Sequence, residues 1–373
     1  MSYGQRIFSI VPDSVATPHL RAAKVDSLGP APSAGLTDQR HRRLRDLRIS
    51  VIDQCNFRCT YCMPKEVFGR DYQFLPKSSL LTFDEIHTLA RIFVSLGVEK
   101  LRITGGEPLL RKSLEDLIAT LSRLTTPSGH PVEIAMTTNG VLLREKAALL
   151  KEAGLHRVTV SLDAFSDDVF RRMNDADYPV KDVLAGIDAA TAAGLTVKIN
   201  MVVQRGVNDR EVLPMAAAFR ERGLTLRFIE YMDVGSSNAW QLDQVVPARE
   251  IVETISRQFP LTLIGRELPS EVSEQWQYAD GQGKIGMISS VTKPFCGNCS
   301  RARISAEGVL YTCLFATSGT DLKSLLRQPT APTDESIANA IAHVWTQRDD
   351  RYSELRHQLP KDGKKVEMSY IGG

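Results

Sequence analysis

The 373-residue chain contains no run of 18 apolar residues, which excludes a membrane-spanning helix. Its first 32 residues lack a basic segment followed by a solid apolar core, so no secretory signal is expected and the cytoplasm is the expected compartment. Neither sign of charge dominates. With 46 Lys and Arg against 44 Asp and Glu, the formal net charge is +2, so neither nucleic acid nor a membrane surface is an expected partner. Histidine occurs only 7 times, and not once between Val51 and Phe83 or between Lys284 and Thr320. What is present is ordinary for a folded chain: 43% hydrophobic and 24% charged residues, enough for one large α/β domain or two smaller ones.

Six cysteines stand in two tight groups, Cys55, Cys59 and Cys62, then Cys296, Cys299 and Cys313. A disulfide framework belongs to small secreted chains, so metal ligation is the better reading. Structural zinc wants four ligands, commonly two C-x2-C pairs or cysteines joined by histidines. Each group stops at three. A cubane iron–sulfur cluster usually takes four thiolates, so three leave one iron open to an exogenous ligand. Zinc with a distant fourth ligand stays open as an alternative, more so for the second group, whose C-x2-C-x13-C spacing is less distinctive.

Residues 1–44 hold Pro12, Pro18, Pro30 and Pro32 without sustained periodicity and read as a mobile extension. The basic run that contains Arg42, Arg43 and Arg45 reads as a solvated face. From Leu47 the pattern changes. Strand-like runs at 47–52, 100–104, 133–137, 157–162, 196–203 and 225–231 alternate with helical patterns. The first helix opens on a capping box at Thr82 and Glu85 and stops at Gly97. The others lie near 113–123, 142–153, 180–193 and 209–222, the last capped by Asn208 with Glu211 three residues on. Six strands alternating with five helices predict an α/β fold, a partial (β/α)6 TIM-type barrel over 45–233. The C-terminal region 234–373 is expected to close the open side.

In parallel βα architectures ligands sit at the carboxyl ends of the strands. Nearly every run ends there in a polar or glycine cluster: the first cysteine group, Gly105-Gly106-Glu107-Pro108, Thr137-Thr138-Asn139-Gly140, Ser161 with Asp163, and Glu230-Tyr231-Met232. Lys198 and Asn200 lie within the fifth run. Singly, each is ordinary turn chemistry, a solvated charge or core; together they are expected to face one mouth.

The stretch Cys55-Asn56-Phe57-Arg58-Cys59-Thr60-Tyr61-Cys62, followed by Gly-Gly-Glu-Pro, closely resembles the signature of radical S-adenosylmethionine (SAM) enzymes. More narrowly, the triplet around Cys296-Gly297-Asn298-Cys299-Ser300-Arg301-Ala302-Arg303 with Cys313, and the terminal Gly372-Gly373, resemble the GTP 3′,8-cyclase family, lyases of molybdenum cofactor biosynthesis. The resemblance covers roughly residues 45–373.

It implies two [4Fe–4S] clusters, one on Cys55, Cys59 and Cys62 with SAM on its open iron, and one on Cys296, Cys299 and Cys313 with the guanine base of GTP on its open iron. SAM contacts are implied for Tyr61, Gly106, Ser161 and Met232. GTP contacts are implied for Arg48, Arg102, Thr137, Lys198, Arg301, Ala302 and Arg303, and the paired glycines are implied to insert toward the active site. A 5′-deoxyadenosyl radical would take hydrogen from the ribose 3′ carbon, with no conventional acid–base residue. A flavodoxin- or ferredoxin-type electron donor, a downstream cyclic pyranopterin monophosphate synthase and a homodimer are implied as partners. The rival readings are a peptide-maturase type of radical SAM enzyme with an auxiliary cluster, and a non-catalytic zinc-binding module.

Overall fold

The computed structural model describes residues 19–22, 35–330, 332–358 and 364–372. Thirteen strands form one sheet: β1 (His19–Ala22), β2 (Asp46–Ser50), β3 (Lys100–Thr104), β4 (Glu133–Thr138), β5 (Arg157–Ser161), β6 (Thr196–Val203), β7 (Thr225–Glu230), β8 (Leu261–Gly265), β9 (Glu274–Tyr278), β10 (Lys284–Ile288), β11 (Arg301–Ile304), β12 (Val309–Tyr311) and β13 (Ser318–Asp321). Their spatial order is β1-β13-β12-β11-β2-β3-β4-β5-β6-β7-β10-β9-β8, so the sheet is open. Strands β2 to β7 lie side by side in chain order and parallel. The later chain adds one more parallel strand to each flank, β11 on β2 and β10 on β7.

The longer helices among the described residues are α1 (Phe83–Ser95), α2 (Leu114–Leu121), α3 (Leu143–Glu152), α4 (Asp167–Asn174), α5 (Val180–Ala192) and α6 (Val212–Glu221), with a further helix over Ala248–Ser256 and another over Asp334–Thr346. The capping box at Thr82 forms as expected, Thr82 accepting from the Glu85 amide and Glu85 from the Thr82 amide. Gly97 takes φ +108, a left-handed value that ends the helical run. Two expectations fail locally. Asn208 caps nothing; its amide nitrogen donates to the Asp163 and Val202 carbonyls and fixes the turn after β6. Helix α4 was not expected, because only Phe170 and Met173 mark its apolar face, too short a pattern to show a period.

Alternation along the parallel strands separates two environments. Leu47, Ile49, Leu101, Ile103, Ile134, Met136, Val158, Val160, Ile199 and Met201 point outward and are buried with the helices in one core. The residues between them point inward, and except for Ala135 they are polar or charged: Arg48, Arg102, Thr159 and Asn200. An ordinary barrel fills that space with apolar layers; here it holds a cavity.

The expected mobile stretch does not extend to residue 44. Leu36 and Leu44 are buried, and Arg42 is an interior ion-pair partner of Asp38 rather than part of a solvated face. Strand β1 pairs in parallel with β13. Residues 1–18 and 23–34 lie outside the described residues.

Candidate active site

After β2 the chain carries Cys55, Cys59 and Cys62 across the carboxyl end of the sheet. The loop is held from below by α4: the Arg58 and Thr60 amides donate to the Asn174 and Met173 carbonyls at 2.8 and 3.0 Å. Phe57 packs edge-on against Phe170 at 5.9 Å, and the Arg58 guanidinium donates to the Cys55 and Phe68 carbonyls, each at 2.7 Å. From above, the Gly105-Gly106 backbone lies directly on the loop. The Gly106 and Glu107 amides donate to the Ile52 and Gln54 carbonyls at 2.7 and 2.8 Å, and a Cβ at Gly106 would collide with the Gln54 carbonyl. The glycine pair is therefore required by close backbone approach.

Acidic groups surround this triplet. The Glu107 carboxylate accepts from Thr138 Oγ1 at 2.7 Å and the Asn139 amide at 2.8 Å, and burial raises its pKa to about 7. Tyr61 donates to Asp163 at 2.7 Å, and burial raises Asp163 to about 6. Burial pushes Cys55 up to about 12, and pushes Cys59 and Cys62 up as well. Three half-buried thiols crowded together hold their protons unless a cation replaces them.

The second triplet belongs to the later chain, with Cys296 in a short 3-10 turn, Cys299 just before β11 and Cys313 just after β12. Arg301 donates to the Cys299 sulfur at 3.2 Å. Burial raises Cys299, but Arg301 and Arg348 together outweigh it and bring the thiol down to about 6; burial takes Cys313 up to about 12. Among the described residues no group of three or more His, Cys, Asp or Glu is drawn tightly enough to hold a metal ion. Each triplet offers three free cysteine thiols, and thiolates are the ligands that iron–sulfur clusters take.

A cavity of about 890 Å³ joins the two triplets, and all six cysteines line it. Its wall is cationic. Arg303, Arg48 and Arg102 are in register on β11, β2 and β3, with Arg301, Lys100, Arg157, Lys198 and Arg227 around them. Glu133 pairs with Lys100 at 3.3 Å and with Arg157, and Asp46, Glu267 and Glu271 also line the cavity, so carboxylates offset part of the positive charge. Burial, followed by neighbouring arginines, lowers Arg48 well below its usual value and brings Arg102 to about 10, Arg227 to about 9 and Lys198 to about 8. Arg227 Nε, Arg301 Nε and Asn200 Oδ1 are buried without a partner. Such a wall is built for a polyanion.

Of the residues singled out from sequence, Arg48, Arg102, Thr137, Lys198, Arg301, Arg303, Tyr61, Gly106, Ser161 and Met232 line this cavity. Ala302 does not: alternation turns its methyl into the outer core. Glu230 and Tyr231 do not face the mouth either. The Glu230 carboxylate is taken up by the Ala248, Val291 and Thr292 amides, and Tyr231 packs with Met173. Gly372 reaches the site, its carbonyl accepting from Arg303 at 2.5 Å, with φ +70 and no room for a Cβ beside Thr104. Gly373 lies outside the described residues. Sequence reasoning missed Lys100, Arg157 and Arg227. Two-residue alternation from Arg102 would have found Lys100, and alternation from Ser161 would have found Arg157.

The fold resembles those of solved proteins with S-adenosylmethionine bound. "Native anSMEcpe with bound AdoMet" superposes with TM-score 0.56 at 13% identity over 87% of this chain and 93% of that one. Streptococcus suis SuiB bound to S-adenosylmethionine superposes with TM-score 0.57 at 12% identity over 87% and 70%. The Radical SAM superfamily model matches residues 49–219 and the Molybdenum Cofactor Synthesis C model residues 224–354. Fold and cysteine motif thus define a radical SAM protein. GTP 3′,8-cyclases from Acidothermus cellulolyticus and Xanthomonas axonopodis pv. citri are each 49% identical over 91% of this chain and 99% and 100% of their own length; that of Staphylococcus aureus strain MRSA252 is 43% identical over 91% and 99%. The chain belongs to the GTP 3′,8-cyclase family.

Proposed function

We propose that this chain converts GTP to (8S)-3′,8-cyclo-7,8-dihydroguanosine 5′-triphosphate, the first step of molybdenum cofactor biosynthesis, using SAM and two [4Fe–4S] clusters. The carrying observation is that one cavity is walled by both cysteine triplets and by a belt of eight cations: Arg48, Lys100, Arg102, Arg157, Lys198, Arg227, Arg301 and Arg303. Cys55, Cys59 and Cys62 would hold the first cluster, which with SAM would supply the 5′-deoxyadenosyl radical, and Cys296, Cys299 and Cys313 would hold the second, which would take the guanine base.

The side chains do the positioning. The belt grips a triphosphate of about four negative charges, Arg through its fork and Lys through its point charge. Tyr61, Gly106, Ser161 and Met232, which line the same cavity, are the SAM contacts in this proposal. Held at base and phosphates, the ribose presents its 3′ carbon within the about 3–3.5 Å that hydrogen transfer needs. No side chain is required as a general acid or base. The cytoplasm is the fitting compartment, because thiolate-bound iron with an open position is sensitive to oxidation. An external one-electron donor of flavodoxin or ferredoxin type, a downstream pterin-forming synthase and self-association as a homodimer complete the proposal.

Anaerobic incubation with GTP, SAM and dithionite should yield 5′-deoxyadenosine and a product with the mass of GTP. The reconstituted protein should carry about eight irons and eight sulfides. Zinc in place of iron would refute the proposal.

The lysines give a pH signature. Burial and then arginine neighbours bring Lys198 and Lys100 to about 8, so each is charged below that value and neutral above it. Only the charged form attracts the triphosphate. The KM for GTP should therefore rise as pH increases through about 8, and Lys198→Arg, which stays protonated, should flatten the profile. A wild-type KM that does not change between about pH 7 and 9 would contradict this.

A further inference from the structure

A buried charged network stands behind the second triplet, and the chemistry above does not use it. The side chains of Asp38, Arg42 and Arg348 are 0%, 2% and 1% exposed. Arg42 bonds Asp38 at 2.6 Å, and Arg348 reaches the same carboxylate oxygen at 3.3 Å. Both guanidiniums also reach the cysteine loop: Arg42 Nη1 donates to the Cys296 carbonyl at 2.9 Å and to the Asp350 carbonyl at 2.6 Å, and Arg348 Nη1 to the Cys299 carbonyl at 2.7 Å, while Arg42 Nη2 is buried without a partner. Arg348 lies 4.5 Å over the Trp345 ring, and Trp345 in turn donates to the Arg42 carbonyl. Asp350, which is 33% exposed, takes the Arg348 Nε at 3.2 Å.

Burying two arginines on one aspartate is costly and adds little net stability. Its direct product is a fixed position for two of the three cysteine carbonyls, with the Arg348 charge added to that of Arg301, whose guanidinium bonds the Cys299 sulfur at 3.2 Å. At the first triplet a single guanidinium does this, Arg58 on the Cys55 carbonyl at 2.7 Å, and it stands among the carboxyl groups of Glu107, Asp163 and Glu367. We infer that Asp38, Arg42 and Arg348 are positioning residues for the second triplet, and that Arg348 raises the reduction potential of the cluster held there. The inference rests on reading Cys296, Cys299 and Cys313 as cluster ligands. Reduction adds one negative charge, and a guanidinium held nearby in a low-dielectric interior favours the reduced form.

The test is an anaerobic redox titration of the reconstituted full-length protein, followed by electron paramagnetic resonance, with each signal assigned through the cysteine variants of one triplet. In Arg348→Met the second cluster's reduced-to-oxidised ratio at a fixed potential should fall about tenfold, which is about 59 mV for a one-electron couple. The first cluster should not move, and Arg348→Lys should recover most of the shift. Asp350→Asn, which removes a negative charge, should move the second midpoint the opposite way. Unmoved midpoints with about eight irons retained, or equal shifts in both clusters, would overturn the inference. If Arg348→Met loses the second cluster, Asp350→Asn decides by the sign of its shift: upward supports the inference, unchanged or downward overturns it. A wild-type protein with about four irons would overturn the parent reading and this one together, whereas eight irons and static midpoints overturn this one alone.

Discussion

Cys59→Ala should abolish both 5′-deoxyadenosine formation and GTP conversion, whereas Cys313→Ala should keep SAM cleavage and reduce GTP conversion to background. The division follows from where the two cysteines sit. Cys59 belongs to the loop clasped between α4 and the Gly105-Gly106 backbone, in contact with Tyr61, Asp163 and the other two thiols of its group. Cys313 is carried by β12 on the far side of β11, and its electrostatic neighbours are Asp350, Cys299 and Arg348. Removing a ligand on either side leaves the hydrogen bonds that shape the other triplet intact. Separate quantification of 5′-deoxyadenosine and cyclised product checks this, and equal loss of cleavage in both variants would refute the assignment of roles.

Arg102→Ala and Arg227→Ala should each raise the KM for GTP by about ten- to a hundredfold. The basis is one charge-assisted hydrogen bond of about 1.5–3 kcal/mol, at about 1.4 kcal/mol per tenfold. Both guanidiniums are already aimed. Arg102 donates to Thr137 and Thr159 at 3.1 and 3.3 Å, and Arg227 donates to the same Thr159 hydroxyl at 3.1 Å. Because they share Thr159, their effects should be less than additive in the double variant. The free protein should not lose stability with them. Burial and mutual repulsion hold both arginines below their usual pKa, so removing one relieves strain in the empty cavity, an exchange of stability for function. Steady-state kinetics and a melting curve without ligands test both halves. A large fall in melting temperature would make these arginines structural instead.

The same residues show how far the sequence could be read. The six strands were legible because their outer faces are continuous apolar alternation, as at Leu47 and Ile49 or Leu101 and Ile103, and turn residues bound each run. The cysteines were legible by spacing, and their partition into two groups matched two structural supports. Lys100, Arg157 and Arg227 were not, since a charge on a strand reads as solvent-facing until the sheet curls and makes that face interior. Ala302 was carried over by motif likeness; alternation places its side chain outside the cavity, so a contact from this position would come from its backbone. The Asp38–Arg348 network joins residues 310 positions apart, and nothing in local pattern signals a pair of that separation.

The placement of β10 and β11 on opposite flanks means that the chain returns to cover both sides of what it built first. Its amino-terminal half is therefore not a detachable module. Ending translation near residue 233 would bare the main-chain donors and acceptors of β2 and β7 at once, two sticky borders of the kind that nucleate aggregation. The border between the two matched family regions is a change of task along the polypeptide, and the molecule has no seam there at which it could be cut.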